Sequence, residues 1–188
     1  MHPRLLPTVA LCALVAVAAP AWADSYEDTI EVFRKAVESG RFFQDAYGYA
    51  VFPTIGKAGV GVGGAYGNGR VYEHGKYIGD TKMTQLTLGL QLGGQGYSQI
   101  VFFEDQRALR EFTSGNFEFS AEASAVAITA GAGAKAGTAG NSAGVSGGQH
   151  DAKVVGGYRK GMATFTVAKG GLMYEATIGG QKFGYKPR

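Results

Sequence analysis

Glycine constrains this chain most strongly, because 31 of its 188 residues are glycine, whereas about 7% is ordinary usage. The glycines lie inside runs of alternating residues, such as 59–67 and 87–96, as well as between them. Inside a strand, glycine weakens the hydrogen-bonded ladder and commonly marks a bend, a bulge or a close approach of two backbones. The sequence therefore predicts a mainly β (α+β) fold, with a compact curved sheet or a small β-barrel.

Alternation of apolar and polar residues indicates the strands of that sheet. Leu86, Leu88, Leu90 and Leu92 alternate with polar residues or glycine from Gln85 onward. A period of two predicts that the leucines form a buried face, opposite a polar or closely packed one. Similar patterns predict strands at residues 60–66, 97–103, 117–128, 154–158, 162–167 and 173–178.

Two segments have a helical period instead. An amphipathic helix is predicted over 24–40, because acids crowd its first turn, a glycine ends it and apolar residues recur every three or four positions. Its predicted buried face consists of Tyr26, Ile30, Phe33 and Val37. A second, short helix is predicted over 104–114, with Ala108, Leu109 and Phe112 on one side.

The N-terminus is typical of a secretory signal peptide. Arg4 precedes an apolar stretch over 5–19, and the small-residue pattern Ala21-Trp22-Ala23 follows. We expect cleavage after Ala23 and a location in the periplasm, peripheral to the outer or inner membrane. The single cysteine, Cys12, follows the bulky Leu11, so it does not resemble a lipid-attachment site, and removal of the leader leaves no thiol.

The mature chain, 24–188, has the length of one domain. We expect the helix over 24–40 to be followed by a β domain over 41–188. Within that domain, the stretch 131–150 consists largely of Gly, Ala, Ser and Thr, with Lys135 among its few long side chains. Such a composition buries too little apolar area to offset ordering, so it predicts a long flexible loop.

No catalytic, metal or nucleotide site is predicted. Gly59, Gly61 and Gly64 match the dinucleotide-binding spacing, but strand-like residues follow them where a helix should begin. Only His74 and His150 remain after the leader, whereas zinc sites usually use three or four ligands. The sequence therefore predicts a protein that is not an enzyme and that has neither cofactor nor metal.

Charge is distributed unevenly along the chain, although the net charge of +3 is too small for a dedicated nucleic-acid binder. Residues 24–50 carry six acids and three bases, whereas residues 151–188 carry seven bases and two acids. Such asymmetry is most often a solvated face. It is also what a surface facing anionic lipid headgroups requires.

Five blocks of sequence, taken in order, resemble the SYLF domain family. They are AYGYAVFP (46–53), KAGVGVGGAYG (57–67), LGLQLGGQ (88–95), VFF (101–103) and KGGLM (169–173). The resemblance covers residues 46–185. It implies a β-rich, lipid-binding module of the secreted bacterial branch. Some members use an N-terminal amphipathic helix at the membrane, and this sequence departs from that pattern because its helix begins with acids.

From the resemblance and the basic C-terminal third we expect a non-enzymatic module that binds anionic phospholipids in the cell envelope, with no nucleic acid or nucleotide partner. An integral outer-membrane β-barrel, or a structural module that binds an envelope protein, remains an alternative. Headgroup contact favours cations beside amphipathic aromatic side chains. The expected lipid-binding residues are Lys135, Tyr158, Arg159, Lys160, Lys169, Lys182, Phe183, Tyr185 and Lys186.

Overall fold

The computed structural model describes residues 26–89, 95–120, 123, 125–128, 157–169 and 178–188. The predicted signal peptide, Cys12, His150 and the predicted loop 131–150 with Lys135 lie outside these residues. Of the predicted strands, 154–158 and 173–178 lie mostly outside them.

Helices α1 (Tyr26–Lys35), α2 (Val37–Gly40) and α3 (Phe42–Asp45) open the described chain. The first predicted helix is present as α1, which buries Ile30 and Phe33. Its predicted extension is wrong, because Ala36 has an extended backbone (ψ 137°) that breaks the helix. Val37 is therefore 90% exposed, although the helical period had placed it on the buried face.

The second predicted helix is confirmed as α4 (Gln106–Phe112). A side-chain oxygen of Asp105 accepts a hydrogen bond from the Ala108 backbone N–H at 2.8 Å, which is N-terminal capping. The predicted apolar side is buried, since Ala108, Leu109 and Phe112 are all at most 4% exposed.

In the described part of the chain, seven strands form one sheet, in the order β4-β7-β2-β1-β3-β6-β5. Their bounds are β1 Gly48–Glu73, β2 Lys76–Gly89, β3 Gln95–Phe103, β4 Phe117–Glu118, β5 Val126–Ile128, β6 Met162–Lys169 and β7 Lys182–Pro187. The mainly β fold with a curved sheet is confirmed. Strand β7, residues 48–57 of β1 and residues 76–84 of β2 were not predicted. Of the described residues in the predicted strand 117–128, only those at its two ends are β structure.

Strand β1 doubles back on itself. Residues 48–57 pair with β3 and residues 61–73 pair with β2, while the His74 N–H donates to the Tyr47 carbonyl at 3.0 Å. A Cβ on Gly69 would lie 2.6 Å from the Phe52 ring and 2.8 Å from the Val51 carbonyl oxygen. Glycine is thus needed where the two halves approach closely, as the glycine-rich strands predicted.

The sheet has a concave inner face and a convex outer face. Side chains of β1 and β7, which are not neighbouring strands, meet on the inner face, where the Phe52 and Phe183 ring centroids are 5.7 Å apart. Helix α4 packs on this side. Helices α1 and α3 pack on the outer face over parts of β1, β3 and β6, around Phe33, Phe42 and Phe102. The remaining outer face, over β2, β7 and residues 64–70 of β1, carries no helix among the described residues apart from the start of α1, whose Tyr26 ring contacts Arg70.

The chain around β4 and β5 spans the distance between the two sides of the curled sheet. Strand β4 pairs with β7, and β5, which begins eight residues after the end of β4, pairs with β6. Between them, the Phe119 N–H donates to the Gln181 carbonyl at 3.0 Å. This segment contacts both sides of the sheet and helps to cover the inner core.

Candidate functional site

The predicted cationic residues do not form one patch. Arg159 and Lys160 lie in the turn before β6, next to α4. Lys169 lies at the opposite end of β6, where its ammonium donates to the Thr54 hydroxyl at 2.9 Å. Lys182 and Lys186 lie on β7, on the other side of the sheet. The predicted cations among the described residues thus lie at three separate places, because the sheet order separates β6 from β7 by three strands.

The predicted aromatic residues are largely interior. Phe183 is 2% exposed and packs on the inner face, so the prediction that its ring lies at the surface is wrong. Tyr185 is partly buried beside it and donates to the Ile78 carbonyl at 3.1 Å. The alternation of β7 explains this arrangement, because residues 183 and 185 point inward while 182, 184 and 186 point outward.

Tyr158 is also packed into the protein. Its ring meets that of Phe42 edge-on, with the ring centroids 5.2 Å apart, and its hydroxyl is buried with no hydrogen-bond partner among the described residues. Burial, together with the nearby carboxylates of Glu104 and Asp45, raises the pKa of Tyr158 to about 12. This side chain therefore contributes packing and does not present a free aromatic surface.

The β7 lysines belong to a regular outward-facing grid, which we call the open face. Strand register places its residues in four rows across neighbouring strands. In order along the strands, the rows are Arg70, Asp80 and Lys186; Asn68, Lys82 and Gly184; Tyr66, Thr84, Lys182 and Glu118; and Gly64 and Leu86. Four cations thus share this face with two carboxylates.

Lys82 is the centre of the cationic group. It lies diagonally between Lys182 and Lys186, and diagonal neighbours in antiparallel strands are about 7–8 Å apart. Lys182 forms an exposed ion pair with Glu118 at 3.5 Å, whereas Lys82 has no such partner among the described residues. Both lysines line a cleft of about 420 Å³ with Thr84 and Asn116.

Arg70 extends the positive charge onto β1. Its guanidinium lies 4.2 Å from the Tyr26 ring centroid and 5.1 Å from that of Tyr77. The Tyr77 hydroxyl donates to Asp80 at 2.8 Å, and this hydrogen bond raises the pKa of Tyr77. The face can therefore attract anions.

The inner face carries a closed polar network behind the open face. The Gln99 and Gln181 amides exchange hydrogen bonds of 2.9 and 3.1 Å, and Gln181 Nε2 is 3.2 Å from the Tyr97 hydroxyl. Gln85 donates to the Gly179 carbonyl at 2.9 Å. Burial raises the pKa of Tyr97 well above its usual range. These groups satisfy one another, so they hold the core together.

No group of three or more His, Cys, Asp or Glu side chains in the described ranges is placed to hold a metal ion. Within the same part of the chain, no helix combines the length and apolar character needed to cross a membrane.

Comparison with known proteins identifies the family. Residues 84–184 match the Ysc84 family, described as "Las17-binding protein actin regulator", which is the SYLF family. The chain belongs to this family. The match runs from β2 to β7, so it includes Thr84, Leu86 and Lys182 of the open face.

A relative of this SYLF protein is "Beta cell expansion factor A" of Aeromonas veronii. The two sequences are 28% identical over 163 residues, which are 82% of this chain and 51% of the relative. The SYLF protein therefore spans about half of that relative's length.

Sequence reasoning missed Lys82, Arg70, Tyr66 and the outward position of Leu86. Lys82 and Lys182 are 100 residues apart, and only the β2–β7 register makes them neighbours. No local pattern signals that pairing. Assigning Gln85 to the buried side of β2 would have placed Leu86 on the exposed side.

Proposed function

We propose that this SYLF protein is a non-enzymatic module that binds anionic phospholipid membranes through its open face. The observation that carries the proposal is the cluster of Lys82, Lys182 and Lys186 on one outward-facing surface, with Lys82 unpaired among the described residues. Family membership supports the same class of function, since the sequence resemblance implies phospholipid affinity.

Electrostatics provides the physical basis. A lysine or arginine near an anionic membrane contributes about 1 kcal/mol, and salt weakens this attraction because the Debye length falls to about 8 Å at physiological ionic strength. Cations on a rigid sheet act together because one orientation of the protein brings all of them to the headgroups. Lys82, Lys182 and Lys186 project from the same side of β2 and β7, so one orientation presents all three.

The proposed location is the periplasm, where the signal peptide would direct the protein. There the open face would meet the headgroups of an envelope membrane. Binding would need neither metal nor nucleotide.

Vesicle flotation of residues 24–188 tests the proposal. We expect the protein to float with phosphatidylglycerol vesicles at low salt, to bind phosphatidylcholine vesicles much less, and to dissociate as salt increases. The triple variant Lys82→Gln/Lys182→Gln/Lys186→Gln should bind about a hundredfold more weakly, at about 1 kcal/mol per cation.

A matched variant controls for net charge. Lys35→Gln/Arg159→Gln/Lys160→Gln removes the same charge from exposed positions off the open face, so it should bind much more tightly than the first triple variant. Equal losses in both variants would show that only total charge matters. A larger loss in this control would move the binding surface to the turn before β6. Absence of wild-type binding would refute membrane binding itself.

A further inference from the structure

Strand β2 exposes a leucine and buries a glutamine at neighbouring positions. Leu86 is 85% exposed and Gln85 is 7% exposed. The prediction that the leucines of this strand form its buried face is therefore wrong at Leu86. Gln85 is held inside by its bond to the Gly179 carbonyl, and the strand period then directs Leu86 outward. A leucine with 85% exposure contributes little to folding, so its side chain is available for contact with a partner.

Leu86 has an apolar neighbour on the open face. Tyr66 is 49% exposed and lies diagonally across from it, because Tyr66 pairs with Thr84 and Gly64 pairs with Leu86. Gly64 has no side chain to cover the leucine. Four large apolar side chains of the described residues are exposed, and these two lie side by side. They form an apolar pair near the end of β2, which continues three residues further to Gly89 opposite Gly61, and we call this pair the apolar tip of the open face.

Cations lie beside and behind the apolar tip on the same face. Lys182 shares the row of Tyr66, one row behind Leu86, and Lys82 lies two rows behind Leu86. Successive rows are about 7 Å apart along the strands. The interfacial layer of a bilayer is roughly 5–8 Å thick on each side. If Leu86 reached the acyl chains, Lys182 would therefore lie at the level of the phosphates.

We infer that the apolar tip, Tyr66 and Leu86, inserts into the interface of an anionic phospholipid bilayer while Lys182 and Lys82 contact the phosphates behind it. This inference rests on the proposed function and adds to it a tilt of the open face, in which Leu86 enters first and Lys186, three rows behind it, lies farthest from the headgroups. Tyrosine suits this position because its amphipathic ring favours the headgroup level. Helix α1 would not lead the insertion, since Glu27 and Asp28 in its first turn would be repelled.

Charge argues against a second copy of the chain as the occupant. Two open faces brought together would oppose cation to cation around Lys82, whereas an anionic bilayer complements them. A stable protein interface also needs about 800 Å² on each partner with an apolar centre. Two side chains at the edge of a charged grid fall well short of such a centre.

The variant Leu86→Asp tests the inference by cosedimentation of residues 24–188 with phosphatidylglycerol vesicles. We expect affinity to fall by at least about tenfold, because an apolar group is replaced by a charge of the sign that the membrane repels. The matched control is Val37→Asp, which makes the same kind of change at the 90% exposed valine of α2 and should not reduce affinity by more than about twofold. Thermal unfolding checks that both variants remain folded.

A fluorescence experiment measures insertion directly. Trp22 is the only tryptophan in the sequence, so residues 24–188 of Leu86→Trp carry a single probe. Its emission should shift to shorter wavelength on vesicle binding, and brominated lipids should quench it, whereas Val37→Trp should show neither effect.

The outcomes separate the two proposals. If the wild type binds the vesicles but Leu86→Asp binds equally well and Leu86→Trp shows no shift, the apolar tip does not insert and the function stands on the cations alone. If the wild type does not bind at all, both proposals fail. Dimerisation of the wild type that Leu86→Asp abolishes, without vesicle binding, would assign the tip to a second copy.

Discussion

The two faces of strand β2 differ in what their side chains contact. Toward the inside, Thr81, Met83 and Gln85 are buried against aromatic rings and a closed set of hydrogen bonds. Toward the outside, Lys82, Thr84 and Leu86 are exposed, and Lys82 has no partner among the described residues. The side chains of the inner face therefore have their partners within the protein, whereas the open face has charged and apolar side chains that an external partner can contact.

This contrast separates stability from function within one strand. Inner residues should determine the free energy of unfolding and leave membrane affinity unchanged in the folded protein. Open-face residues should determine membrane affinity and leave the free energy of unfolding nearly unchanged. Substitutions can test this division.

The largest expected effect on stability is that of Phe183→Ala. The Phe183 ring lies 4.9 Å from that of Phe112 and 5.7 Å from that of Phe52, so truncation leaves a cavity in the inner core. We expect a loss of about 3–5 kcal/mol in the free energy of unfolding, measured by urea denaturation. Leu86→Ala on the open face is the control and should change it by less than about 0.5 kcal/mol. Comparable losses in the two variants would contradict the division.

A smaller effect is expected for Gln181→Ala. Its side chain exchanges two hydrogen bonds with Gln99, so the variant leaves the Gln99 amide buried and unsatisfied. We expect a loss of about 1–3 kcal/mol in the free energy of unfolding. The double variant Gln99→Leu/Gln181→Leu, which removes both amides, should lose less than the sum of the two single leucine variants. Strict additivity would show that the amide pair is not coupled.

The smallest effect is expected for Tyr158→Phe, under the helices on the other part of the outer face. It removes a buried hydroxyl without a partner, so the protein should be unchanged or stabilised by up to about 1 kcal/mol at neutral pH. Wild-type Tyr158 titrates near pH 12, above the ordinary tyrosine pKa of 10.0. Because the folded protein favours the neutral phenol, the raised pKa of Tyr158 contributes to stability. This contribution is fully present below pH 10 and is lost as the pH rises to about 12.

Urea titrations at several pH values between 9 and 12 measure this effect. The stability of Tyr158→Phe relative to the wild type should increase across that range, because the variant has no phenol to ionise. A constant difference would show that the Tyr158 hydroxyl is not shielded from water.

Local patterns predicted the elements well where the side chains needed only near neighbours in sequence. Helix α4 was predicted from the period of Ala108, Leu109 and Phe112, and α1 from Ile30 and Phe33. Val37 was misplaced because the break at Ala36 depends on the packing of α2 and α3. The buried and exposed sides of β2 are the reverse of the prediction because Gln85 is buried. Its hydrogen-bond partner, the Gly179 carbonyl, comes from the chain before β7.

The candidate site was predicted only in part, for the same reason. Lys182 and Lys186 were identified from the basic C-terminal third, but Arg159, Lys160 and Lys169 lie elsewhere on the sheet. Phe183 was expected at the surface because an aromatic residue between two lysines resembles an interfacial motif. Strand alternation instead buries it.

The sequence alone determined that this chain forms a glycine-rich, curved β domain with two helical regions, because those features depend on residue types and spacings within a few positions. It also identified the SYLF family, whose blocks follow one another along the chain. Only the tertiary structure decided which face of β2 is buried and that Lys82 lies between Lys182 and Lys186. Those facts depend on the pairing of strands about 100 residues apart, and no local pattern encodes such a pairing.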